Sequence, residues 1–134
     1  MTTLPPLDSL GSPRILVIGD LMLDEYIWGA VSRISPEAPV PVLSGHHREY
    51  RAGGAGSVVE LLSVLGARVE VCGWIGTDSA GRKLAEILRG KALSDKGLIQ
   101  VPDRPTTLKT RMLASVQQAH RAQQQVLRVD WEEV

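Results

Sequence analysis

Arg14-Ile15-Leu16-Val17-Ile18-Gly19-Asp20 decides the fold class. An unbroken apolar run, rich in β-branched residues and closed by Gly-Asp, suits a strand buried on both faces, as in a parallel sheet. An acid just past the carboxyl end of such a strand lies where open α/β sheets take ligands. Asp20 is therefore a candidate binding residue, with a turn or N-cap role as the alternative.

Downstream, the stretch from Asp24 to Arg51 mixes Tyr26, Ile27, Trp28, Val31, Ile34, Val40 and Val42 with Gly29, Pro36, Pro39 and Pro41. Proline confines a strand to an edge or a bulge, because the ladder loses a donor. Residues 24–51 are thus expected to form a flap of two or three short, exposed strands, with a solvated rim at Ser44, His46, His47, Arg48, Glu49 and Arg51. Ala52-Gly53-Gly54-Ala55-Gly56-Ser57 then reads as a turn into a helix whose inner stripe is Val58, Leu61, Leu62 and Leu65, closed by Gly66 at C′.

Val69, Val71, Gly73 and Ile75 alternate with Glu70, Cys72 and Trp74, which is a strand signal. Asp78 is placed to cap a second helix with Ala80, Leu84, Ile87 and Leu88 facing inward, ended by Gly90 and the polar segment 90–97. Leu98 to Val101 is a short strand, 102–105 a turn, and 108–114 another strand. A glutamine-rich connection, Gln117 to Gln125, precedes a last strand at 126–130. This order is α/β in class. Residues 1–13, rich in Pro, Ser and Thr, read as a loose leader. With only two clear helices and none after the last strand, the sheet is not expected to have both faces covered, and the chain reads as half of something larger.

Composition narrows the function classes. The 134 residues carry 15 Lys+Arg and 15 Asp+Glu, so no cationic excess exists to bind nucleic acid by bulk charge. Hydrophobic residues at 43% argue against disorder, and no apolar stretch approaches the ~20 residues that cross a bilayer. A single cysteine, Cys72, suits a reducing cytoplasm and reads as a buried, inert thiol. His46, His47 and His120 lack carboxylate or cysteine partners at metal-like spacing, so no metal site is expected.

The glycine pair Gly53-Gly54 lets a backbone approach a ligand at a helix N-terminus; a tight turn into a packed helix is the plainer reading. The segment is neither a Rossmann fingerprint, since Val59 fills the third glycine position, nor a Walker loop, since no Gly-Lys-Ser/Thr follows. Lys109 and Arg111 share one strand face two residues apart, as a phosphate clamp or as a solvated face.

Two segments are specific enough to compare with a family. Gly19-Asp20-Leu21-Met22-Leu23-Asp24-Glu25-Tyr26 and Ser32-Arg33-Ile34-Ser35-Pro36-Glu37-Ala38-Pro39-Val40-Pro41-Val42 resemble the heptose-7-phosphate kinase branch of the PfkB/ribokinase sugar kinases. Gly53-Gly54-Ala55, Leu65-Gly66-Ala67, Gly76-Thr77-Asp78 with Gly81, the run from Arg104 to Arg111 and the run from Gln124 to Asp130 follow in the family's order, so the likeness spans 14–132.

The resemblance implies the N-terminal part of a ribokinase-like, doubly wound sheet with a small β-lid. It implies transfer of the γ-phosphoryl of ATP, with Mg2+, to the anomeric oxygen of D-glycero-D-manno-heptose 7-phosphate on the way to ADP-heptose for lipopolysaccharide cores. Another sugar, or a non-catalytic module that binds sugar phosphate or dimerises, are the alternatives. By resemblance Asp20 holds sugar hydroxyls, Gly53 and Gly54 admit the sugar, and the lid closes over it and builds a homodimer contact; Lys109 and Arg111 gain weight as phosphate ligands. Ser57 stands where the family carries a sugar-binding asparagine, and its reach is shorter, with one donor instead of two. The family's Gly-Ala-Gly-Asp segment, which supplies the anion hole and the base, does not occur in these residues. No catalytic residue is therefore assigned, no cofactor is expected on this chain, and no turnover is expected from it alone.

Overall fold

A computed structural model describes residues 9, 11–92, 94–115 and 123–132. Most of the leader, His120 and residues 117–122 of the glutamine-rich connection lie outside the described residues. The elements run β1 (Arg14–Ile18), β2 (Leu21–Ile34), β3 (Pro41–Gly54), α1 (Ala55–Val64), β4 (Arg68–Gly76), α2 (Ser79–Arg89), β5 (Leu98–Val101), β6 (Thr107–Ser115) and β7 (Gln123–Trp131).

They build two sheets. One is parallel, in the order β1-β4-β5; the other has the order β3-β2-β6-β7. Val69, Val71 and Ile75 of β4 point into a core with Val59 of α1 and Leu84, Ala85 and Leu88 of α2, so both helices cover the same face. Among the described residues no element covers the opposite face. β1 is therefore not buried on both faces as its apolar run suggests: Leu16 is 58% and Ile18 72% exposed, on the side shared with Cys72, which is half-buried rather than buried.

The flap is larger than expected. Instead of short strands within 24–51, β2 and β3 run for 14 residues each and pair from Leu21↔Gly54 to Ile34↔Pro41. Pro36 and Pro39 sit in the connection between them, and Pro41 opens β3, an edge strand that tolerates a missing donor. The register shifts at Trp28/Gly29, where a bulge bends the ribbon. The last two strands do not extend the parallel sheet. β6 pairs parallel with β2, and β7 pairs antiparallel with β6, completing the lid.

Helix α1 corrects the expected stripe. Its buried residues are Gly56 and Val59, with Leu62 packed beside them, whereas Val58, Leu61 and Leu65 are exposed. Its end is as expected. Gly66 takes φ 88, its N–H donates to Ser63 O, and Ala67 N–H reaches Leu62 O, the paired bonds of a Schellman cap. In α2, Ala80, Leu84 and Leu88 are buried as the spacing predicts, with Ile87 packed at the margin.

Candidate functional site

The chain passes between the two sheets at three places: Gly19-Asp20, Gly54-Ala55, and the segment from Pro102 to Thr106. The first two meet. Ala55 N–H donates to Asp20 O at 2.9 Å, and a side chain on Gly54 would strike that same carbonyl. Gly54 also has φ 57, a left-handed conformation that glycine adopts without strain. Asp20 and Gly54 therefore form one corner, at the carboxyl end of β1, and both are exposed. Ser57 borders it from the first turn of α1, and its hydroxyl donates back to Gly54 O at 2.7 Å.

Gly53 is the last β3 residue before that corner. It is buried, because the Asp24 carboxylate and the Met22 side chain close over the space its own side chain would fill. Ligand access at the glycine pair is thus through Gly54.

Pairing carries the corner onto one face of the lid. Met22 faces Gly53 and Thr107; Asp24 faces Arg51 and Lys109; Tyr26 faces Glu49 and Arg111. At roughly 3.3 Å per residue these rows climb the lid in steps of about 7 Å. Lys109 and Arg111 do share a face, and it is the face of Met22 and Gly53.

Neither cation stands alone. Lys109 Nζ is 3.2 Å from both Asp130 and Glu132, and these bonds hold its pKa above the ordinary lysine value. Arg111 pairs with Asp24, and its guanidinium lies 5.3 Å from the Tyr26 ring centre. Arg51, which sequence reading assigned only to the rim, sits 4.9 Å from the same ring and pairs with Glu49 at 2.6 Å. Tyr26 and Trp28 stack at 5.6 Å, and His47 follows at 5.0 Å from Trp28. Arg51 comes beside Asp24 through the β2–β3 register, which alternation within either strand does not give.

The third crossing ends on Thr106, which is 2% exposed and bonded to Asp78. Among the described residues no three His, Cys, Asp or Glu side chains gather to hold a metal ion. No described helix is long and apolar enough to cross a membrane.

Comparison with known proteins adds the family. The family described as "pfkB family carbohydrate kinase" matches residues 12–125. The chain is 48% identical over 120 residues to the bifunctional protein HldE of Wolinella succinogenes, covering 90% of this chain and 24% of that protein. It is 50% identical over 121 residues to the bifunctional protein HldE of Helicobacter hepaticus, again covering 90% and 24%. The chain thus spans about a quarter of the length of these curated relatives. Among solved structures, ribokinase of Arabidopsis thaliana complexed with ribose and ATP superposes with a TM-score of 0.62 at 20% identity, over 90% of this chain and 36% of that one. A carbohydrate kinase from Agrobacterium tumefaciens gives a TM-score of 0.59 at 26% identity, over 88% and 35%. The fold is ribokinase-like α/β with a lid sheet.

Proposed function

We propose, for a chain that belongs to the pfkB family of carbohydrate kinases, that it forms the sugar-binding portion of a kinase acting on a phosphorylated heptose. The observation that carries this reading is the corner itself. Asp20 and the Gly54 backbone are joined at the tip of a parallel strand, beneath a lid face whose next two rows present Arg51, Lys109 and Arg111. A carboxylate accepts from sugar hydroxyls, and open backbone lets a polyol come close. The cation rows sit further up, where a phosphate at the far end of the sugar exchanges places with Glu49, Asp24 or the Asp130–Glu132 pair. Ser57, on the helix side of the corner, offers a hydroxyl once it turns from Gly54 O.

The reaction we assign to the whole enzyme is transfer of the γ-phosphoryl of ATP to the anomeric oxygen, in the cytoplasm, ahead of ADP-heptose and lipopolysaccharide core synthesis. Among the described residues no three His, Cys, Asp or Glu side chains gather into a preformed cation site, so Mg2+ is assigned to the whole enzyme with ATP and no step on this chain is routed through it. The part of this chain is to bind and orient the sugar and, through the lid, to meet a second copy.

Calorimetric titration of the 134-residue chain with D-glycero-D-manno-heptose 7-phosphate tests the reading. We expect saturable binding without ATP-dependent turnover, and loss of binding in Asp20→Ala. Unchanged affinity in that variant removes Asp20 from the site. Tighter binding of a different sugar phosphate assigns the chain to another substrate, and turnover by the chain alone refutes its role as a binding portion.

A further inference from the structure

We propose that Asp78 and Thr106 form a positioning clamp that sets the cation rows of the lid against the Asp20–Gly54 corner, so that the site distinguishes a phosphorylated sugar from its unphosphorylated form. The inference rests on the functional reading above.

The first two crossings between the sheets are tied to each other by the bond from Ala55 to Asp20. The third is tied to the parallel layer instead. Thr106 N–H donates to Asp78 Oδ2 at 2.8 Å, and its hydroxyl donates to Asp78 Oδ1 at 2.9 Å. The same hydroxyl accepts Gly76 N–H at 2.8 Å, from the end of β4. Asp78 Oδ1 also accepts Gly81 N–H at 2.7 Å and so caps α2. Capping alone needs one acceptor, and serine or threonine serves as well. Here the second carboxylate oxygen holds the lid. Burial raises the Asp78 pKa, but the bonds from Gly81 and Thr106 outweigh it and keep the group ionised as an acceptor.

Thr106 immediately precedes β6, which carries Lys109 and Arg111. The lid sheet rests on the core through Leu21, Leu23, Ala52, Tyr50 and Leu108, and two polar ties fix it there: the Asp20–Gly54 corner under β2 and β3, and the clamp under β6. With the clamp loosened, β6 is freer to slide on that apolar base, so the Lys109 and Arg111 rows shift while the corner, tied separately, keeps its geometry. Recognition of phosphate should then suffer, and recognition of sugar hydroxyls should not.

Titration of the 134-residue chain with D-glycero-D-manno-heptose 7-phosphate and with the unphosphorylated heptose separates the two. Thr106→Val keeps the side-chain shape and the main-chain bond but removes the hydroxyl. We expect its preference for the phosphorylated sugar to fall roughly tenfold, the scale of one weakened charge-assisted contact, with affinity for the unphosphorylated sugar within about twofold of the parent. Thr106→Ser should restore the preference. Asp78→Asn retains the bond to Gly81 but cannot accept from Thr106 N–H through its amide nitrogen; it should match Thr106→Val, and it decides the question if circular dichroism shows Thr106→Val unfolded. Equal losses for both sugars, or an unchanged preference in the folded variants, overturn the clamp. A parent chain that binds neither sugar overturns the functional reading, and the clamp with it.

Discussion

Val69, Val71 and Ile75 of β4 are each 2% exposed or less beneath two helices, whereas the lid face bearing Met22, Asp24 and Tyr26 is lined by charges from its neighbouring strands. The parallel layer is held by aliphatic burial on one side only. The lid is held, on this face, by a lattice of ion pairs: Arg51 with Glu49, Arg111 with Asp24, Lys109 with Asp130 and Glu132, and Arg128 bidentate on Asp130. Under the proposed function the difference matters: apolar packing would give a rigid base for Asp20, while pairs of this kind contribute little stability and so leave their cations open to exchange onto a phosphorylated ligand.

The comparison breaks first in the core. Leu84 is fully buried between α2 and β4, so Leu84→Ala should cost about 3 kcal/mol in urea unfolding, from lost transfer energy and the cavity left behind. Ile18→Ala, on the bare face of the same layer, should cost roughly 0.5 kcal/mol or less. Similar losses at the two positions would mean that the far face is covered. Next comes the one charged group buried in the lid among the described residues. Glu25 accepts the Thr110 hydroxyl at 2.7 Å and faces Arg48 at 3.3 Å. Glu25→Ala strands a buried hydroxyl and should cost about 1–3 kcal/mol, and Glu25→Gln, which keeps an acceptor, noticeably less. If both were neutral, the lid would be held by its exposed pairs alone.

Local features were legible in the sequence. The β1 run, the β4 alternation, the Asp78 cap and the Gly66 C′ position each depend on a few adjacent residues, and each stands where expected. Long-range features were not. Alternation in 108–114 says that a strand has two different faces, not that it joins β2 across more than 80 residues of chain. Helix α1 is apolar nearly all round, so Val58, Leu61 and Leu65 compete with Val59 and Leu62 for the core; Gly56 allows close packing on the second side. For the site, the end of the β1 run pointed to Asp20, the glycine pair to Gly53 and Gly54, and alternation to Lys109 and Arg111; the likeness to a kinase family gave these weight and added Ser57. The carboxylates that occupy the two cations come from other strands and were invisible without register.

A pH titration sharpens the contrast at the junction of the two regions. Asp78 is held below the ordinary carboxylate range in the folded chain, so its contribution is present above its unfolded pKa of about 3.9. It is lost as pH falls through the lower folded value. Urea midpoints of the parent chain should therefore drop below about pH 4, and Asp78→Asn should remove part of that drop. Glu49, Asp95 and Asp130 are lowered too and supply the rest, so an identical acid limb in the variant would take the clamp carboxylate out of the stability balance.

The smallest effect is expected where the lid looks most elaborate. Lys109 meets two carboxylates, and its raised pKa means that its stabilisation is complete below the unfolded value of about 10.4 and fades as pH rises through the folded one. Yet Glu132 is well exposed, and exposed pairs lose most of their Coulomb energy to water and salt. Lys109→Met should shift stability by about 0.5 kcal/mol at neutral pH, less in 1 M salt, and should flatten the alkaline limb. The same variant should weaken heptose 7-phosphate binding more than it weakens the fold, because a phosphate carries more charge toward this ammonium than half-buried Asp130 or exposed Glu132 does. A stability loss larger than the binding loss would place Lys109 among the supports of the lid and leave Arg51 and Arg111 to meet the phosphate.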